Sequence, residues 1–145
     1  MSINDVNCRL LTKEMLKQIN EAADKFSIDS SKLRLFLECP ENLAFISGND
    51  EEITGFIYGY SLKSLDEKPQ LFVYSVEVLP KFQNMGIGSK LFQYVVDYSR
   101  ENGYSECFVI TDKGNKPACR VYEKAGGKND FEDEIVYVIK HRDLM

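Results

Sequence analysis

The chain has no tryptophan, a single histidine, and four cysteines that form no CxxC pair among its 145 residues. Each scarcity closes a class of function. A Ser-His-Asp or Cys-His nucleophile would have to depend on His141, near the C-terminal end, so that chemistry is set aside. Cys8, Cys39, Cys107 and Cys119 lie far apart with no histidine nearby, and they read as reduced thiols behaving as small hydrophobes. Neither a disulfide framework nor a metal site is expected. No apolar run approaches the length that crosses a bilayer. The opening stretch MSINDVNCRLLTKEM lacks a basic region leading into an apolar one, so no signal peptide is expected and the location expected is cytoplasmic. Repeats, low-complexity tracts and Pro/Gly/Ser linkers are missing, which makes one domain over residues 1–145 the simplest reading. There is no basic stripe: 18 basic residues face 23 acidic ones, for a net charge of −5. Nucleic acid and membrane are therefore not expected partners, whereas a cationic small molecule is compatible with the balance.

The hydrophobic fraction, 43%, is that of a chain with a folded core. Residues 8–11 read as a first strand. Thr12 is a candidate cap for a helix on which Leu16, Ile19, Ala23 and Phe26 recur at helical spacing. Ser30 is a candidate cap for a second helix with Leu33, Phe36 and Leu37, ended by Pro40. The pattern then changes to strands at 43–47, 53–62 and 71–79, joined by short polar turns, which predicts an antiparallel meander. Helical spacing returns over 88–102, with Leu91, Val95 and Tyr98 in line and Gly103 as the stop. Residues 107–111 read as a strand, 115–125 as a short helix capped by Asn115 with Gly126 beyond its end, and 135–140 as a last strand. A strand, helix and strand in succession need a crossover, so part of the sheet is expected to be parallel.

The stretch that carries chemistry is VEVLPKFQNMGIGSKL, residues 76–91. A strand enters a loop with Gly86 and Gly88, and an amphipathic helix begins there. Glycines let the backbone bend and approach a ligand closely. The unpaired N–H groups and the dipole of the helix start favour a phosphate or pyrophosphate. The plainer reading is a glycine turn before a helix. A Rossmann fingerprint would need a third glycine where Leu91 stands, and the GK[ST] of a P-loop is absent.

Gln83-x-x-Gly86-x-Gly88 after Val78-Leu79-Pro80 resembles motif A of the GNAT superfamily, Q/R-x-x-G-x-G/A. Further on, Asn115-x-x-Ala118-x-x-x-Tyr122 followed by Gly126-Gly127 resembles that family's N-x-x-A-x-x-x-Y-x-x-x-G segment. The strings GFIYGY, LFVYSVEV, TDKGN and RVYEKAGG are similar to the type I aminoglycoside 3-N-acetyltransferase group. The resemblance implies an α/β (α+β) GNAT acyl-CoA N-acyltransferase fold: a central mixed twisted sheet with helices on both faces. It implies transfer of an acetyl group from acetyl-CoA to a small amine, and it implies a homodimer, whose interface no sequence feature specifies. Protein or peptide acetylation and non-catalytic acyl-CoA sensing stand as alternatives, since a fold does not fix a function.

Carried onto this chain, the resemblance places the pantetheine arm and acetyl carbonyl along the strand near Val76 and Val78. The pyrophosphate falls to backbone N–H groups of Gln83, Asn84 and Met85, then of Gly86, Ile87, Gly88 and Ser89, with Asn115 also at the cofactor. Where the family often has a basic residue this chain has Asn84, and Lys81 or Lys90 is left as the source of charge. Tyr122 matches the position whose hydroxyl protonates the leaving thiolate, a role suited to its high ordinary pKa; the alternative is a tyrosine packed on a helix. Glu77 is the candidate base, although strand alternation turns it away from Val76 and Val78 unless a β-bulge re-aims it. Asp112, at the end of the next strand, is a second candidate and is placed at the acceptor. The acidic run DFEDE, residues 130–134, is ordinarily a solvated loop, yet Asp133 and Glu134 would attract a polycationic acceptor such as an aminoglycoside or polyamine if they border its pocket.

Overall fold

A computed structural model describes residues 1–65 and 67–141. After a 3-10 turn at Ile3–Asp5 come β1 (Asn7–Leu11), α1 (Leu16–Lys25), α2 (Ser30–Glu38), β2 (Asn42–Gly48), β3 (Ile53–Leu62) and β4 (Gln70–Val78). A second 3-10 turn, Pro80–Phe82, leads to α3 (Ile87–Glu101), β5 (Glu106–Val109) and α4 (Lys116–Lys124). The strands lie side by side in chain order in a five-stranded sheet, antiparallel from β1 to β4 and parallel between β4 and β5. The mixed sheet expected from the sequence is therefore present.

Strand alternation divides the core in two. Ala44, Ile46 and Phe56 pack with Ile19, Ala22 and Ala23 of α1 and Leu33 and Leu37 of α2. Leu43, Phe45, Ile57, Leu71 and Val73 pack on the other face with Leu91, Phe92 and Val95 of α3. Helices thus cover both faces. Phe45 and Phe56 are each 1% exposed, and burying such a ring contributes about 2–3 kcal/mol. Val6, Phe82 and Ile87 form a smaller cluster where the N-terminal segment meets the start of α3.

Local signals account for most boundaries, with three corrections. α1 begins at Leu16 behind Met15, which makes no side-chain cap, because a turn first closes from Met15 N–H to the Thr12 carbonyl at 3.0 Å. α2 is capped by Asp29, not Ser30: its carboxylate accepts from the N–H groups of Ser31 at 2.8 Å and Lys32 at 3.2 Å, leaving Ser30 as the first helical residue. The β2–β3 turn is held by Asn49, whose side-chain oxygen accepts from Glu51 and Glu52 N–H. The third correction is the largest. The strand expected over residues 135–140 does not form, and Ile135, Val136, Tyr137, Val138 and Ile139 stand exposed in an extended segment outside the sheet.

Candidate active site

β4 is paired with β3 along its whole length, from Leu62↔Gln70 to Gly55↔Val78. On its other side the parallel pairing with β5 stops at Val73↔Val109. Strand β5 itself ends at Val109, so on this side residues 74–78 of β4 have no paired strand among the described residues. The break coincides with a β-bulge. Tyr58 faces Ser75 while Gly59 faces Val73, so Tyr74 is the extra residue on β4. A bulge bends its strand and raises the local twist.

Past the unpaired end of β4 the chain turns into α3. Leu79 N–H donates to the Thr54 carbonyl at 3.0 Å, fixing the exit from the strand. Gly86 is the N-cap in the left-handed region, φ +84, with no side-chain cap, and Asn84 is also at positive φ. The first hydrogen bond of the helix is Lys90 N–H to the Gly86 carbonyl, 3.0 Å, so the amides of Ile87, Gly88 and Ser89 have no intrahelical acceptor. A Cβ placed on Gly88 would sit 3.6 Å from Val78 Cγ2 and 3.8 Å from Val121 Cγ2. Gly88 is therefore the point where β4, the start of α3 and α4 converge. Lys90 does not face this space: its Nζ donates to the carbonyls of Ile3, at 3.1 Å, and Val6, at 2.5 Å. Lys81 lies over the Phe82 ring, 5.3 Å from the centroid. The Gln83 side chain donates to the Val78 carbonyl at 3.0 Å and ties the loop to the end of β4. The cradle is thus made of neutral amides and a helix start.

The two candidate catalytic side chains lie on opposite sides of the sheet. Val76 packs in the cluster of Leu91 and Phe92, and so does Tyr122, whose ring centroid is 4.8 Å from that of Phe92. Burial, reinforced by Cys119, pushes the Tyr122 hydroxyl above its ordinary pKa, so it holds its proton at neutral pH. Asn115 caps α4 by accepting from Ala118 N–H at 3.2 Å, and Gly127 N–H closes on the Tyr122 carbonyl at 2.9 Å. Glu77 is exposed and pairs in register with Phe56, which packs under α1 and α2. The bulge lies upstream, at Tyr74, and does not bring Glu77 onto the face of Val76.

Beside Glu77 stands a wall of aromatic rings that sequence reading did not pick out as a site. Tyr58 and Tyr74 stack with centroids 5.5 Å apart, and Tyr60 meets Tyr74 edge-on at 5.8 Å. Phe72 contacts Tyr74 at 5.9 Å and stacks on Phe108 of β5 at 4.8 Å. Burial raises the pKa of Tyr58, and Tyr60, Tyr74 and Glu77 raise it further. Tyr74, directly after the last residue of β4 that pairs with β5, remains 59% exposed. The signal was present in the alternation of Tyr58 with Tyr60 and of Phe72 with Tyr74, which sets each pair on one face.

Of the residues singled out by sequence, the structure brings Val76 and Tyr122 into one cluster and Val78 beside Gly88, with Asn115 at the cap of the helix that bears Tyr122. The Asp112 carbonyl accepts from Asn115 N–H at 2.9 Å and from the Cys119 thiol at 3.6 Å, while the residue itself is exposed. Asp133 and Glu134 lie on the exposed segment after α4. Among the described residues no group of His, Cys, Asp and Glu is arranged to hold a metal ion, and no helix is long and apolar enough to cross a membrane.

An unpaired strand end beside an uncapped, glycine-led helix start offers free amides to an extended anionic ligand. Comparison with known proteins identifies the family: residues 13–127 match the model of the Acetyltransferase (GNAT) family, and the chain belongs to it. It is similar to the probable N-acetyltransferase camello of Xenopus laevis, 29% identical over 82 residues, which cover 57% of this chain and 36% of that protein. The chain thus spans about a third of that relative's length. Its fold resembles that of an aminoglycoside acetyltransferase from an uncultured soil metagenomic sample, solved with sisomicin, with TM-score 0.80 and 23% identity over 97% of this chain and 98% of that one. It also resembles an aminoglycoside N-acetyltransferase, AAC(6')-Iy, solved with CoA, with TM-score 0.71 and 18% identity over 93% and 94% of the two chains.

Proposed function

We propose that this chain is an acetyl-CoA-dependent N-acetyltransferase acting on a small cationic amine. The observation that carries the reading is the unpaired edge of β4 beyond Val73↔Val109, followed by the uncapped start of α3. Acetyl-CoA suits both parts of this site. Its pyrophosphate suits the free amides of Ile87, Gly88 and Ser89, with Gln83, Asn84, Met85 and Gly86 shaping the loop, and its extended arm suits the unpaired edge near Val76 and Val78. Gly88 leaves the space that a side chain would fill between Val78 and Val121. When bound, acetyl-CoA supplies an activated acyl group as a thioester.

The chain's residues then divide the remaining work. Amide N–H groups on the free edge of β4 are donors for an oxygen that gains negative charge. Tyr122, protonated at neutral pH, gives its hydroxyl proton to a leaving sulfur on the α3–α4 side. Glu77 takes the proton that an incoming ammonium must lose, on the opposite side. Acid and base on opposite faces of the sheet let the amine enter where the thiol does not leave. The wall of Tyr58, Tyr60 and Tyr74 supports a cationic acceptor, because ring faces beside a carboxylate attract ammonium groups. Asp112 and the arm residues Asp133 and Glu134 add negative charge for the same acceptor. The working unit is a cytoplasmic homodimer of one-domain chains.

The test is CoA-thiol release with acetyl-CoA and a panel of aminoglycosides, polyamines, amino acids and short peptides, beside calorimetric binding of acetyl-CoA alone. Release with a cationic acceptor class, lowered in Tyr122→Phe, is the expected result. Binding without release across the panel favours a sensor, release only with peptides replaces the acceptor class, and absence of binding overturns the reading.

A further inference from the structure

Lys90 follows the free amides of α3 in the chain, yet its charge points away from them. Its backbone N–H makes the first hydrogen bond of the helix, to the Gly86 carbonyl at 3.0 Å, so Ile87, Gly88 and Ser89 directly precede it. Its side chain runs to the start of the chain, where Nζ donates to the carbonyls of Ile3 at 3.1 Å and Val6 at 2.5 Å. Those carbonyls belong to the 3-10 turn Ile3–Asp5 and its C-cap. The turn is held by a capping box: Ser2 Oγ accepts from Asn4 N–H at 3.2 Å, and the Asp5 carboxylate accepts from Ser2 N–H at 3.2 Å. Asp5 and Val6 N–H then close on the Ser2 and Ile3 carbonyls at 2.9 and 3.2 Å. Apolar contact adds to this. Fully buried Val6 packs with Phe82 and with Ile87, the first residue of α3, and Ile3, Leu79 and Met85 surround them. The back of the glycine loop therefore rests on the N-terminal segment.

We propose that Lys90 is a positioning residue and that the N-terminal turn, residues 2–6, is a brace that sets how tightly the amides of 87–89 hold a pyrophosphate. Free amides at a helix start hold an anion well only while they converge on one point, and a loop led by glycines has little stiffness of its own. Lys90 supplies the stiffness from outside the site, because bonds from a charged donor are stronger than neutral ones. The inference rests on the acetyl-CoA reading for the identity of the ligand and adds what controls its affinity. Such coupling is reciprocal, so a ligand on the amides also tightens the turn. A lysine near an anion can act through charge alone, and Asp5 separates the two cases. By charge alone, removing the Asp5 carboxylate strengthens anion binding. By bracing, it weakens binding, because the capping box is lost.

Calorimetric titration with CoA, beside hydrogen exchange and steady-state rates, tests this. Lys90→Met is expected to weaken CoA about tenfold and Asp5→Ala about threefold. Asp5 and Ser2 are exposed, so the second variant keeps the fold even where the first does not. In both, KM for acetyl-CoA rises while kcat holds, and turnover of S-acetylpantetheine, which lacks the pyrophosphate, stays at the wild-type rate. CoA is expected to slow exchange of the Asp5 and Val6 amides in wild type but not in Lys90→Met. Equal CoA affinity in wild type and Lys90→Met overturns the proposal. Unchanged or tighter binding in Asp5→Ala overturns it as well, by leaving only charge. A loss shared by S-acetylpantetheine overturns it by making the turn a general support of the fold. A wild type that binds no CoA overturns the acetyl-CoA reading and this inference with it, an outcome distinct from the other three.

Discussion

The part of the molecule up to Ser99 and the part after it are built to different standards of closure. In the first, antiparallel strands, α1 and α2 bury their apolar faces against one another, and every fully buried residue of the described structure lies here. In the second, β5 pairs over a few residues, α4 buries no residue, and the segment beyond is bare. The sequence supplies apolar residues to both. The first half is completed by its own side chains, whereas the second leaves its apolar side chains half-covered or exposed. On the proposed function, the open half is the part that would admit the two substrates.

The contrast can be broken most forcefully in the frame. Phe56→Ala, at a ring 1% exposed and packed under α1, is expected to cost about 4 kcal/mol of unfolding free energy, whereas Val109→Ala in β5 is expected to cost under about 1 kcal/mol. Urea midpoints for the two variants measure the difference, and equal losses would mean the second half is closed after all. Next in size is Tyr122→Phe, which removes a proton donor without removing the ring that contacts Phe92. Its kcat is expected to fall about a hundredfold with the urea midpoint unchanged; a midpoint that drops instead would make the hydroxyl structural. Gly88→Val fills the space between Val78 and Val121 and is expected to weaken acetyl-CoA about tenfold by calorimetry.

The smallest effect sharpens the boundary itself. Burial, with some help from Glu106, raises the Cys107 thiol from 9.0 to about 11. The folded state therefore holds its proton more tightly than the unfolded one. The stabilisation this gives is present below pH 9 and lost as pH rises toward about 11, and since the thiol is only partly buried the loss is expected to stay below ~1 kcal/mol. Stability curves of wild type and Cys107→Ala should separate below pH 9 and converge above it. Maleimide labelling at pH 8 should reach exposed Cys39 well before Cys107.

Much of this was legible in the chain. The period change from helix to strand gave the meander, and Gly86, Gly88 and Asn115 marked the starts of α3 and α4 because backbone freedom and capping are local properties. Strand alternation also set Glu77 apart from Val76. What escaped depends on partners distant in sequence. The bulge at Tyr74 is visible only once β3 is laid beside β4, and the aromatic wall needs three strands in register. Residues 135–140 carry a strand's composition, but composition alone does not supply an edge to pair with. Ser30 and Thr12 misled because several residues at each helix start were competent caps, and geometry chose among them.

The parallel contact between β4 and β5 has a consequence in time. Hairpin partners in the meander such as Ser47 and Gly55 are a few residues apart, whereas Gln70 must wait for Glu106, with the whole of α3 between them. Contacts between distant residues form late, because the loop must close before they contribute. During folding the frame is thus expected to be in place first and the candidate site to be the last part to take shape, so a chain cut short or stalled before β5 would be a sheet without a binding site.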